Sequence, residues 1–299
     1  MLMVGPMFEK VLKADGFIAA LDQSGGSTPK ALRLYGISDD SYVEGEKSMF
    51  DKVHEMRTRI ITSKAFDGDR ILGAILFEDT MDRDIEGQST GHYLWQKRNI
   101  VPFLKIDKGL ASEASGVQLM KPIPGLDELL KRGKGNGMFG TKMRSVIKKA
   151  NAEGIKAIVD QQFELAKEII AAELIPIIEP EVDIHSEEKE ECETILKKCI
   201  LDHLNQLKSS DMVMLKLTLP SQQNFYKECI DHPQCMRVVA LSGGYERERA
   251  NEILSQQKGM IASFSRALTQ DMKHGMTEDE FDEKLDQAIA SIYKASKAG

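Results

Sequence analysis

The chain has 299 residues, 41% of them apolar and 29% charged, with a formal net charge of −7. That length admits two ordinary domains or one large α/β barrel, and the composition is that of a globular protein able to bury a sizeable core. The mildly acidic balance argues against a general nucleic-acid binder, and no apolar run approaches the ~20 residues of a membrane helix.

The first stretch, MLMVGPMFEKVLKADG, has too short an apolar start and no cleavage pattern for a secretory leader. Strands are predicted at FIAALD from Phe17, ILGAILFE from Ile71, VPFLKID from Val101 and FGTKMR from Phe139. Before the last of these, DELLKRGKGNGM from Asp127 is expected to be a mobile loop whose basic run is solvated. QQFELAKEIIAAE, from Gln161, reads as a helix with Phe163, Ala166, Ile169 and Ile170 on one stripe. A fifth strand follows at LIPIIEPEV from Leu174. SEEKEECETILKKCILDHL, from Ser186, reads as a helix with Ile195, Cys199 and Leu204 inward. Its acidic start and later lysines suit the helix dipole. MVMLKLTL from Met212, RVVALS from Arg237 and GMIASFSRAL from Gly259 complete eight strands. YERERANEILSQQ and the amphipathic stretch Thr277 to Tyr293 are the remaining helices.

Most of these strands are nearly continuous apolar runs, as expected when helices cover a sheet or a barrel encloses one face. Strand then helix, eight times, is the arithmetic of a (β/α)₈ TIM barrel, here a single domain over residues 1–299. A doubly wound open sheet is the alternative, weakened because no Gly-x-Gly-x-x-Gly follows the first strand. Cys192, Cys199, Cys229 and Cys235 have no Cys-x-x-Cys spacing and are expected to be free thiols in a reducing cytoplasm. The scattered histidines lack the paired spacing of a zinc site. No metal or cofactor is expected, and no nucleic-acid or membrane partner.

MVMLKLTLP raises a chemical question, because Lys216 sits inside an apolar run. A buried ammonium must be paired or lose its proton. It has company, since in such barrels sites form at the C-terminal ends of the strands. There the chain carries Asp22 before Ser24 and Ser27, then Lys105 and Asp107, Lys142 and Arg144, Glu179 and Glu181, Ser242-Gly243-Gly244, and Arg266. Singly, each has an ordinary structural reading: a snorkelling lysine, a strand-ending Glu-Pro-Glu, a tight glycine turn. Together they are hard to explain by structure alone.

Ser242-Gly243 with Arg266 offers backbone N–H groups, a hydroxyl and a guanidinium to one anion. Ser24 and Ser27 with Lys105 offer a second pocket across the mouth. Two anion sites suit a small sugar with a phosphate at each end. A lysine beside another cation in an apolar wall loses its proton readily and becomes a nucleophile toward a carbonyl. A carboxylate alongside can then move the protons of imine formation.

The runs FIAALDQSGGS, ILFEDTMDR, FLKIDKG, FGTKMR, IIEPEV, MLKLTLP, LSGGY and ASFSRAL occur in this order over essentially the whole chain. In them the sequence resembles the class I fructose-1,6-bisphosphate aldolases, in their shorter bacterial form. The resemblance implies a metal-independent, cytoplasmic enzyme of glycolysis and gluconeogenesis. It gives Lys216 the imine with the substrate ketone, Glu179 the acid/base work on the carbinolamine, and Asp22 the C4 hydroxyl proton. Lys142 would support imine formation, with Glu181 as its partner. Ser242, Gly243 and Arg266 would hold the C1 phosphate, and Ser24, Ser27, Lys105 and Arg144 the C6 phosphate.

Two departures from the animal pattern stand out. Lys30 is followed by Ala31 instead of arginine, leaving Arg33 as the substitute cation, and the chain ends SIYKASKAG, with Tyr293 in the last helix rather than a tail. The rival readings are a preference for tagatose 1,6-bisphosphate and a non-catalytic sugar-phosphate-binding scaffold. A homo-oligomer is left open.

Overall fold

The computed structural model describes residues 5–299. All eight predicted strands form: β1 Phe17–Leu21, β2 Ile71–Leu76, β3 Val101–Lys105, β4 Gly140–Ile147, β5 Ile175–Val182, β6 Val213–Thr218, β7 Cys235–Leu241 and β8 Met260–Ala262. They lie side by side in chain order, every neighbouring pair parallel. Between β8 and β1 the ring is joined by the Ala20 N–H donating to Phe264 O at 3.2 Å. A sheet whose last strand meets its first is a (β/α)₈ barrel, and the doubly wound alternative is set aside. Strand eight is shorter than predicted, because Arg266–Thr269 winds into a helical turn.

Alternation sorts the side chains. Ile18 and Ala20, Val101 and Phe103, Ile175 and Ile177, and Met214 share one buried cluster inside the barrel. Continuing the same parity along each strand reaches Asp22, Lys105, Glu179 and Lys216. The barrel is therefore apolar toward one end and ionic toward the other. Phe103 can fill the apolar end because β4 starts with glycine: a Cβ on Gly140 would lie 2.9 Å from its ring and 2.2 Å from Ile175 O. The helix Pro6–Lys13 covers that end with Phe8 and Val11, and Arg237 donates to Val11 O and Ala14 O at its C-terminus, both at 2.9 Å.

Outside, the helix around QQFELAKEIIAAE begins earlier than predicted, at Ala152, after Asn151 accepts from the Gly154 N–H at 2.8 Å. In the helix Lys189–Leu204 the inward row is Cys192, Leu196, Ile200 and Leu204, one residue away from the predicted Ile195 and Cys199, which are half-buried. The segment expected to be a mobile loop is a helix, Leu126–Gly135, with Leu126, Leu129, Leu130 and Gly133 buried. Their i, i+3, i+4, i+7 spacing makes a narrow apolar stripe that the surrounding glycines and basic residues hide. All four cysteines are unpaired. Among the described residues no helix is long and apolar enough to cross a membrane.

Candidate active site

The strand ends bring four charged groups into one line. Lys142 Nζ lies 2.6 Å from Asp22 Oδ2 and 2.8 Å from Glu179 Oε2, and Lys216 Nζ lies 3.2 Å from Glu179 Oε1. All four are buried, with exposures of 3–7%. The sequence reading puts Lys216 beside another cation. Instead the Glu179 carboxylate stands between Lys142 and Lys216, one oxygen toward each.

Position along the chain explains why Glu179 can bridge. Pro180 has no N–H to donate, and the β5–β6 ladder stops at Ile178 opposite Leu215. Past that point side chains take over the backbone. Gln162 accepts from the Glu179 N–H at 2.8 Å, and the Thr218 hydroxyl bonds both Val182 O and Val182 N, at 2.7 and 2.9 Å. The opened seam leaves room for a carboxylate to reach the lysine of the next strand.

Electrostatics in this buried line are decided by the partners. Burial alone would raise the Asp22 carboxyl, but Lys142, then Lys216, overturn that and hold it well below the usual range. Glu179 is lowered as well, its burial outweighed by Lys142 and Lys216. Burial would lower Lys142, yet Asp22 and Glu179 hold its ammonium well above the ordinary lysine value. Both carboxylates and the Lys142 ammonium are thus ionised at neutral pH.

The remaining candidates fall into four groups. Arg144 bonds Glu181 through Nε, so Glu181 serves Arg144 and not Lys142; burial works against this guanidinium, and Glu181 holds it charged. Lys105 Nζ bonds Asp107 Oδ1 at 2.7 Å and Asp107 O at 2.9 Å. Ser24 and Ser27 close a turn on each other, with Ser27 Oγ donating to Ser24 O at 2.8 Å and accepting from Ser24 N at 3.1 Å. Lys105 bonds neither serine. The serine turn is linked instead to the neighbouring loop, where Gln23 Nε2 donates to Ser265 Oγ beside Arg266.

The Ser-Gly-Gly turn does meet Arg266. Gly243 and Gly244 both have positive φ, +62° and +122°, and a Cβ on Gly244 would lie 3.3 Å from an Arg266 guanidinium nitrogen. Arg266 is exposed and makes no salt bridge among the described residues, so no carboxylate neutralises its charge beside this turn. Arg33 is engaged elsewhere, on Asp39 at 2.8 Å, and Tyr293 lies within the helix Glu278–Ala298.

Three further buried polar groups adjoin these residues, and the sequence reading assigns none of them a role. Asp107, just past the end of β3, is buried and anchors Lys105. Gln162 and Arg57 sit on helices, where strand-end reasoning does not look. Both interrupt apolar stripes, Gln162 among Ile158, Val159 and Phe163, and Arg57 among Val53, Met56, Ile60 and Ile61. A polar residue at a core position of a helix was the available signal. Burial pushes the Arg57 guanidinium down to about 10, partly offset by Asp22 and Asp79.

A cavity of about 530 Å³ opens at the other end of the barrel, beside Phe8, Ile175 and Met212, and none of the collected residues lines it. The buried ion pairs lie at the opposite end.

Comparison with known proteins converges on one family. The family model described as fructose-bisphosphate aldolase class-I, glycolytic, matches residues 10–235. The chain is 61% identical over 288 residues to the fructose-bisphosphate aldolase class 1 of a Synechocystis species, covering 96% of each. It is 56% identical over 288 residues to that of Porphyromonas gingivalis, covering 96% of this chain and 97% of the relative. Among solved structures, the aldolase of Plasmodium falciparum, in complex with TRAP and an inhibitor, shares the fold with a TM-score of 0.79 at 22% identity, over 98% of this chain and 93% of its own. A Schiff-base-forming fructose-1,6-bisphosphate aldolase matches with a TM-score of 0.56 at 10% identity, over 96% of this chain and 100% of its own.

Proposed function

The chain belongs to the class I fructose-bisphosphate aldolase family, and from that premise we propose that it cleaves fructose 1,6-bisphosphate through an imine on Lys216. The observation that carries the reading is the unbroken line Asp22–Lys142–Glu179–Lys216 at the barrel mouth.

Each member has a task its position allows. Glu179, ionised and 3.2 Å from Lys216 Nζ, takes a proton from the ammonium and leaves an amine to attack the ketone carbon. The carboxylic acid so formed then protonates the departing hydroxyl of the carbinolamine, which leaves as water. The protonated imine is an electron sink. Asp22 accepts the C4 hydroxyl proton, the C3–C4 bond breaks, and its electron pair flows into the imine to give an enamine. Glyceraldehyde 3-phosphate departs as the aldehyde. Protonation at C3 and addition of water release dihydroxyacetone phosphate and restore Lys216. Lys142 stays charged throughout and keeps both carboxylates ionised between their turns.

Arg266 with the Ser242-Gly243 turn takes the C1 phosphate in this reading, and Ser24, Ser27, Lys105 and Arg144 face the C6 end. Arg266→Ala should lower kcat/KM by roughly 30–150-fold, the equivalent of a charge-assisted hydrogen bond of ~2–3 kcal/mol. The loss should be the same on fructose 1-phosphate, which keeps the C1 group. A loss confined to the bisphosphate would assign Arg266 to the other end.

The direct test of function is a cleavage assay comparing fructose and tagatose 1,6-bisphosphates. Both curated relatives carry the fructose name, which favours the fructose ester. An amine that activates the carbonyl needs no Lewis acid, so exhaustive EDTA should leave the rate within about twofold. Activity lost to EDTA and restored by zinc would defeat the imine route. Glycolysis and gluconeogenesis in the cytoplasm are the setting this reading implies. A homo-oligomer is compatible with it.

A further inference from the structure

Arg57 is one of the largest fully buried side chains, 1% exposed, on the helix Lys47–Thr62 outside the barrel wall. Its guanidinium donates to Thr80 Oγ1 at 2.6 Å and to the backbone carbonyl of Gln23, while Nε has no partner. Among the described residues it forms no salt bridge. A buried cation without a carboxylate in contact is costly compared with an apolar side chain of the same shape. The site it occupies gives a reason for it.

The β1–β2 ladder ends at Leu21 opposite Leu76, one residue before Asp22. On the other side, among the described residues, one backbone hydrogen bond, from the Ala20 N–H to Phe264 O, joins β1 to the β8 end. Asp22 therefore projects just past the ladder of its strand, and the next carbonyl along the chain is the one Arg57 holds. Through Thr80, in the turn after β2, the same guanidinium ties that carbonyl to the neighbouring strand end. Gln23 extends the link, its side chain reaching Ser265 beside Arg266.

We propose that Arg57 is a positioning residue for Asp22, fixing the chain just past β1 so that the carboxylate stays on Lys142 and in reach of the C4 hydroxyl. The inference rests on the reading of Asp22 as the base of carbon–carbon cleavage. It follows that Arg57 acts on cleavage and not on imine formation, which needs Lys216 and Glu179.

The test uses the whole protein and two readouts, turnover of fructose 1,6-bisphosphate and borohydride trapping of dihydroxyacetone phosphate. Arg57→Gln should lower kcat by about 10²-fold, the scale of a small misplacement of a reacting group, with KM and trapping rate within about threefold of the parent. Arg57→Lys, which keeps the charge but reaches one acceptor at a time, should fall between. Thr80→Val, which leaves the guanidinium in place, should repeat the pattern more weakly if Arg57→Gln does not fold. In an Asp22→Asn background Arg57→Gln should cost nothing further, because both changes remove one function. Equal loss of turnover and trapping, or additive losses in the double variant, would overturn the proposal and make Arg57 a packing residue. Full cleavage activity in Asp22→Asn alone would locate the failure in the reading of Asp22, and a selective cleavage loss in Arg57→Gln would then contradict the route through it.

Discussion

Lys142→Met should destabilise the folded protein by about 3–5 kcal/mol, lower its melting temperature by roughly 5–15 °C, and reduce kcat by about 10²–10⁴-fold. Lys142 is the cation shared by Asp22 and Glu179, at 2.6 and 2.8 Å, and is 3% exposed. Methionine fills nearly the same volume, so the loss reports charge and not packing. Glu179 keeps Lys216, whereas Asp22 loses its nearest partner and is left a buried carboxylate. The pH dependence follows from that. In the parent, the depressed Asp22 and Glu179 add stability that is present above their unfolded values of 3.8 and 4.5 and lost as pH falls through the folded ones. In the variant, burial raises Asp22, so its ionised form is penalised as pH rises. The stability gap between the two proteins should therefore widen from about pH 4 to about pH 7 and then level off. A gap that narrows over this range, measured by denaturant unfolding, would show that Lys142 does not hold Asp22 ionised.

Lys216→Ala should abolish turnover, by roughly 10⁴-fold or more, the scale expected when the covalent nucleophile itself is removed. Stability should change far less than in Lys142→Met, because Glu179 retains Lys142 on its other oxygen. The two lysines thus separate by phenotype: one removes chemistry, the other removes chemistry and stability together. A Lys216→Ala variant that still cleaves the bisphosphate would refute the mechanism.

The barrel was legible because its strands are nearly continuous apolar runs, and eight such runs alternating with helical segments leave few architectures. The helix Leu126–Gly135 was not, since three glycines and three basic residues in DELLKRGKGNGM mask a four-residue stripe. In the site, position at the strand ends gathered Asp22, Lys142, Glu179 and Lys216 at one mouth. It could not say that a carboxylate would separate the two lysines, because that depends on where the β5–β6 ladder opens after Ile178. Partner choice was also beyond it. Glu181 follows Arg144 because the two side chains point inward from adjacent strands, where Arg144 pairs in register with Glu179 and Val146 with Glu181. Arg57 and Gln162 reach the site from helices outside the barrel, and sequence spacing does not specify such contacts. Only their polarity inside an apolar stripe marks them.

The central claim is that the substrate ketone becomes an imine on Lys216. Borohydride added with dihydroxyacetone phosphate reduces such an imine to a stable secondary amine, which digestion and mass spectrometry can map. The account predicts inactivation only when both reagents are present, with the label on the peptide containing Met214-Leu215-Lys216. A label on Lys105 or Lys142 with Lys216 unmodified would contradict it.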